Sequence, residues 1–331
     1  MHDLAAGKVD CLAGDLPSLV ACHPYHGEGN LIGLNNPLLW ERAGNVDPMH
    51  RQRGRCGVQF LGYQIKMELL GSRRRMELVL SVERNGPVAV ATISRPPANA
   101  LNDELVSRLE AVLEEVAKDE TVSVLHLRTD LKIFCGGADL AFMQTCFSTP
   151  EGPDAMLELV RRLQRLFDRM ETTPVVLIAE IGGAALGGGM ELALACDLRV
   201  AANEAKLGLP EVHLGLIPGA GGTQRLARLC GLGVARRLIF GAEVVSGAEA
   251  ERLGMVTWAQ PRAQLAEWTR DLAARMGGMS RAALAAAKSC IAAQGQTGRD
   301  GFAEEIAATR RLYFDPDTRR KVSKFLERSA T

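Results

Sequence analysis

The longest apolar stretch of the chain, Val175 to Ala195, constrains the fold most, because of what interrupts it. Glu180, Glu191 and two runs of glycine break the stretch, so it is not the uncharged run a membrane span needs. The glycines fall where an apolar strand pattern, Val175-Val176-Leu177-Ile178, gives way to the apolar helix Ala193-Leu194-Ala195-Cys196. Glycine at a strand end or helix start leaves bare backbone that a ligand can approach. The chain is therefore expected to be an α/β protein with a ligand site at such junctions.

The rest of the chain divides unevenly. Residues 1–75 show no sustained helical or strand period, hold four of the six histidines, and end in Arg73-Arg74-Arg75. Asp3, Asp10 and Asp15 argue against an acid-poor transit peptide, and Cys22, His23 and His26 lack a second ligand pair at zinc-site spacing. This segment is expected to be a flexible or mis-assigned leader. Deleting it is expected to leave activity and melting temperature nearly unchanged; loss of folding or of oligomeric state would contradict that.

From Met76 the texture changes. Leu78-Val79-Leu80-Ser81-Val82 and Val88-Ala89-Val90-Ala91-Thr92-Ile93 flank Asn85-Gly86-Pro87, the pattern of a hairpin. An amphipathic helix is expected from Asn102-Asp103 to about Ala117, then a buried strand from Val122 to Leu127. Strand and helix signals alternate to about Val200, and after Gly222 the remainder reads as almost all helix. The domain expected over 76–331 has a core to about 265 and a helical region over about 266–331.

Three loops in this domain gather glycines. The first is Phe134-Cys135-Gly136-Gly137-Ala138-Asp139-Leu140. The second runs from Gly182-Gly183 through Gly187-Gly188-Gly189 to Met190-Glu191-Leu192. The third runs from Leu209-Pro210-Glu211 through Pro218-Gly219-Ala220-Gly221-Gly222 to Thr223-Gln224-Arg225. None has the glycine spacing of a dinucleotide fingerprint or of a phosphate-binding loop.

In this order and spacing the three motifs closely resemble the enoyl-CoA hydratase/isomerase (crotonase) family. Arg95-Pro96, Asn99-Ala100-Leu101-Asn102 and Ser246-Gly247-Ala248-Glu249-Ala250 extend the resemblance, which runs from about Glu77 to the C-terminus. It implies a spiral of ββα units followed by a helical C-terminal oligomerisation region, assembled as a homotrimer or dimer of trimers. It implies a coenzyme A thioester as substrate, with no separate cofactor and no metal. By motif position, the backbone N–H groups of Ala138 and Gly188 stand as the oxyanion donors. Gly137, Asp139, Leu140 and Gly187 then lie against the substrate, with Asp139 and Asp197 chiefly bonding nearby backbone N–H groups at turns.

The resemblance also implies which reaction is run. Glu191 and Glu211 occupy both acid/base positions, as in the family's hydratases, where the two carboxylates hold one water between them. An isomerase shifting the double bond generally keeps one acid, and a dehydratase of a specialised acyl-CoA such as carnitinyl-CoA would keep both. Gly182, Leu207 and the segment Asp317-Thr318-Arg319-Arg320 depart from the common pattern, the last two at positions able to alter the acyl pocket or its lid.

Charge excludes other partners. Lys and Arg total 39 against 39 Asp and Glu, so no overall basic excess draws the chain to nucleic acid or anionic membrane. One branch of the family binds RNA through a lysine-rich first helix. Here residues 103–120 carry seven acids against Arg108 and Lys118, which repels phosphate. Eight scattered cysteines without a C-x-x-C pair lead us to expect a cytoplasmic enzyme.

Overall fold

A computed structural model describes residues 79–329; the leader expected over 1–75 lies outside them. The hairpin forms where the sequence places it. Strands β1 (Leu80–Asn85) and β2 (Val88–Ile93) pair antiparallel, with Asn85 opposite Val88 across Gly86-Pro87. Four further strands lie parallel to β2: β3 (Val124–Thr129), β4 (Val176–Ile181), β6 (Leu198–Ala202) and β9 (Trp258–Gln260). The sheet order is β1-β2-β3-β4-β6-β9. A second sheet, β5-β7-β8, joins Ala185–Leu186, Lys206–Gly208 and Val244–Ser246.

Every residue of β4 is buried, as expected of a parallel strand covered on both faces. Its one acid, Glu180, is paired across the sheet. Glu180 Oε2 lies 3.0 Å from His126 Nε2 on β3, and Oε1 lies 3.4 Å from Arg128 Nε. Burial alone would raise the Glu180 pKa, but the bond to His126 and the nearby Arg128 hold it below the usual carboxylate range.

The helix expected after Asn102 is α1 (Asp103–Lys118). The Asn102 side chain accepts from Leu105 N, and Leu105, Val106, Leu109, Val112, Leu113 and Val116 form its buried stripe. Each such side chain contributes roughly 1.5–3 kcal/mol on burial. Helices α2 (Leu140–Ser148) and α3 (Gly152–Thr172) follow, the second buried through Leu159, Leu163, Leu166, Phe167 and Met170. Their junction needs glycine: a Cβ at Gly152 would lie 1.7 Å from the Cys146 carbonyl oxygen.

After β5 come α4 (Gly188–Leu194), a 3-10 turn (Glu211–Leu214), α5 (Gly222–Phe240) and α6 (Gly247–Arg252). The C-terminal part is helical: α7 (Arg262–Gly277), α8 (Arg281–Ala293), α9 (Gly301–Phe314) and α10 (Pro316–Ser329). Strands β8 and β9 are the exceptions within a remainder expected to be almost all helix after Gly222. Each has three residues, too short for a period to register, and is held by its neighbours in the sheets. Among the described residues no helix is long and apolar enough to cross a membrane.

Candidate active site

The three glycine-rich loops meet. The first is stitched to the second by Cys135 N to Ala184 O (3.1 Å) and Leu186 N to Cys135 O (3.1 Å). It also receives Leu101 N on Gly137 O, at 2.8 Å. The third joins where Gly187 N donates to Gly208 O at 3.0 Å. Contacts this close leave no room for side chains: a Cβ at Gly189 would lie 2.1 Å from the Cys135 carbonyl oxygen. Gly137 (φ 100°) and Gly187 (φ 53°) hold backbone conformations that only glycine adopts without strain.

This packing brings the two expected oxyanion donors together. A Cβ built on Gly137 would be 3.4 Å from Gly188 N, and one on Gly188 would be 3.8 Å from Ala138 N. Among the described residues neither N–H has a hydrogen-bond acceptor. Gly188 opens α4, whose first amides carry the positive end of the helix dipole. Asp139 caps α2 by accepting from Ala141 N and Phe142 N, and Arg95 Nη2 donates to its Oδ2 at 2.6 Å. Burial would raise the Asp139 pKa, but the Phe142 amide and Arg95 outweigh it and hold the carboxyl low. Leu140, next in the chain, is exposed.

Glu191 lies near enough to Glu211 to feel its charge, the first on the Gly222 amide and the second beside Gly187. Glu191 is in the first turn of α4 and only 3% exposed; its Oε1 accepts from Gly222 N at 2.8 Å. Glu211 opens the 3-10 turn, with Oε1 3.2 Å from where a Gly187 Cβ would sit; its Oε2 is buried with no hydrogen-bond partner among the described residues. Burial lifts the Glu191 pKa to about 7, the Gly222 amide opposes this, and the charge of Glu211 adds to it. Burial also raises the Glu211 pKa. Two carboxyls whose pKa values burial raises, beside two free amide donors, can move protons to and from a substrate whose carbonyl charge is stabilised.

The raised pKa of Glu191 has a consequence for stability. The native carboxyl keeps its proton to higher pH than the unfolded one, so its contribution is fully present at pH 4 and lost as pH rises through about 7. Glu191→Gln mimics the protonated form. It is expected to stabilise the protein at pH 8 by up to about 3 kcal/mol in urea unfolding, and to leave it nearly unchanged at pH 4. Equal or lower stability at pH 8 would contradict this.

Asp197 accepts from Leu177 N (2.7 Å) and Lys288 Nζ (2.8 Å), tying β4 to α8. Leu207 is fully buried in β7 opposite Ala185, and Gly182 faces Leu265 of α7. Asp317 lies in the first turn of α10, where Arg320 and Lys321 pair with it. A cleft of about 780 Å³ beside Leu194, Arg199, Leu229 and Lys288 includes neither glutamate, and Arg199 and Lys288 are already engaged by backbone carbonyls and Asp197. Sequence reasoning missed the Gly222 amide on Glu191 and the Arg95 contact to Asp139. The glycine pair at 221–222 was the available signal for the first; nothing local signals the second.

The sequence model of the enoyl-CoA hydratase/isomerase family matches residues 83–330, most of the chain. The chain belongs to this family. It is 43% identical over 199 residues to a probable enoyl-CoA hydratase of Bacillus subtilis, covering 60% of this chain and 76% of that protein. It is 35% identical over 251 residues to the 2,3-dehydroadipyl-CoA hydratase of Escherichia coli, covering 75% and 96%. Among solved structures, an enoyl-CoA hydratase of Geobacillus kaustophilus superposes with a TM-score of 0.72 at 30% identity, over 76% of this chain and 95% of that one. The fold is thus the crotonase type, an α/β core followed by helices.

Proposed function

We propose that this family member is an enoyl-CoA hydratase, adding water reversibly and syn across the 2,3 double bond of an enoyl-CoA thioester. The observation that carries the reading is that two carboxylates flank the segment presenting the Gly188 amide: Glu211 against Gly187, and Glu191 in the first turn of the helix that Gly188 opens, close enough to feel the charge of Glu211. In this reading the two amides grip the thioester oxygen as attack at C3 moves negative charge onto it, and being fixed they need no reorganisation. The carboxylates hold one water between them. One takes its proton as the oxygen attacks, and a proton reaches C2 on the same face. With both pKa values raised, the pair is suited to share a single proton near neutral pH.

Gly137 and Gly187 then let the thioester approach bare backbone, and Leu140 offers an exposed apolar contact to the substrate. Asp139 acts through the cap of α2 that fixes the first loop. Coenzyme A belongs to the substrate, and no step calls for a metal or other cofactor. The exposed Phe302, Ile306, Phe314, Phe325 and Leu326 on α9 and α10 favour burial against further copies in a trimer or dimer of trimers. Free thiols at Cys135, Cys146, Cys196, Cys230 and Cys290 suit a reducing cytoplasm.

The test is turnover on a panel of straight and branched 2-enoyl-CoAs, with 3-enoyl-CoAs alongside. Hydration is expected to exceed double-bond shifting on every accepted chain. Efficient shifting without hydration would assign the site to an isomerase instead.

A further inference from the structure

Arg225 sits in the first turn of α5 with its side chain 5% exposed. Its Nη2 donates to Asp168 Oδ1 (2.7 Å) and Glu171 Oε2 (2.9 Å), both on α3, and the guanidinium lies 5.8 Å from the Phe167 ring centre. On the other side Nη1 donates to the Ala220 carbonyl at 2.9 Å. The gripped turn, Ala220 to Gly222, carries the amide that donates to Glu191 Oε1. It is shaped around the cation: Gly221 has φ 105°, and a Cβ there would lie 2.2 Å from Nη1. Arg225 Nε is buried with no hydrogen-bond partner among the described residues, a desolvation cost that an apolar side chain of similar volume would avoid.

We infer that Arg225 is a positioning residue for the reaction, clamping the Ala220–Gly222 turn to α3 so that the Gly222 amide holds Glu191 in its working orientation; this rests on the hydratase reading. The charged groups around the pair are few. Glu191 faces Glu211 from the 3-10 turn and Arg225 from α5, while Arg225 faces Asp168 and Glu171 from α3; Arg199 on β6 also feels Glu171. Burial raises the Glu191 pKa and Arg225 opposes the rise, so removing the cation is expected to raise it further.

Arg225→Met is expected to lower kcat by about 10–100-fold, because a displaced carboxylate loses the reacting geometry, with KM held within about threefold. The limb of the pH–rate profile that Glu191→Gln abolishes is expected to move to higher pH. Arg225→Lys keeps the charge but cannot span α3 and the turn together, so it should return the limb toward its original position and recover only part of kcat. A second readout needs no substrate: a carbon-13 titration of glutamate carboxyls, with Glu191 assigned by its loss in Glu191→Gln, should show the Glu191 midpoint rising in Arg225→Met. Absence of hydration by the unmutated protein would refute the hydratase reading and leave this titration to decide the clamp.

Full kcat with an unmoved titration in a folded Arg225→Met protein would overturn the inference. Should that variant not fold, the Asp168→Asn, Glu171→Gln protein removes the anchor on α3 and is read by the same two measurements. A fall in kcat with a shifted midpoint supports the clamp; neither change refutes it.

Discussion

Glu191→Gln and Glu211→Gln are each expected to lower kcat for hydration by about 10²–10⁴ while leaving acyl-CoA binding largely intact. The substitutions keep size and hydrogen bonding but remove proton transfer. In Glu191→Gln the side-chain carbonyl oxygen would still accept from the Gly222 amide, so the local fold has no reason to shift. Glu211 carries a buried oxygen with no protein partner among the described residues, so its loss touches little beyond the reacting water. If both groups act on one water, as proposed, the double variant is expected to cost less than the product of the singles. Wild-type turnover in both single variants would refute the two-carboxylate account. Retained double-bond shifting in Glu191→Gln would show that Glu211 alone can move protons between C2 and C4.

The second large effect concerns a group that side-chain mutagenesis does not reach. Replacing Ala138 by L-lactate converts its amide N–H to an ester oxygen and leaves the methyl group in place. Loss of one oxyanion donor of this kind typically costs about 10²–10³ in kcat, and a fall of that size is expected here. The lost N–H breaks no bond of the loop, since Ala138 N has no acceptor within the described residues; the ester also weakens Gly137 O as the acceptor of Leu101 N, which a melting-temperature comparison reads separately. A change below about threefold would remove Ala138 from the oxyanion role.

Much of this was legible in the sequence because local chemistry and tertiary demand agree. Asn102 before an apolar period of 3.6 announced α1, and Asn85-Gly86-Pro87 between alternating runs announced the hairpin. The glycines of the first two loops were conspicuous, and Gly136, Gly137, Gly183, Gly188 and Gly189 each stand where another backbone passes within van der Waals contact. What stayed hidden was held by distant partners. Strands β8 and β9 have no period of their own and form because β7 and β6 offer edges to pair with. The His126–Glu180 pair joins residues 54 apart, and Arg225 reaches Asp168 and Glu171 across more than fifty. The motif resemblance located Glu191, but only the folded chain shows that its carboxylate is buried, which raises its pKa, and that the Gly222 amide it accepts opposes the rise.

In the proposed reaction both carboxylates serve one water on one face of the double bond. The most direct measurement is hydration of crotonyl-CoA in deuterated water, with the configuration at C2 and C3 of the product read by NMR. The account predicts that the hydroxyl at C3 and the deuterium at C2 enter from the same face. Anti addition, or deuterium exchange without hydration, would contradict it.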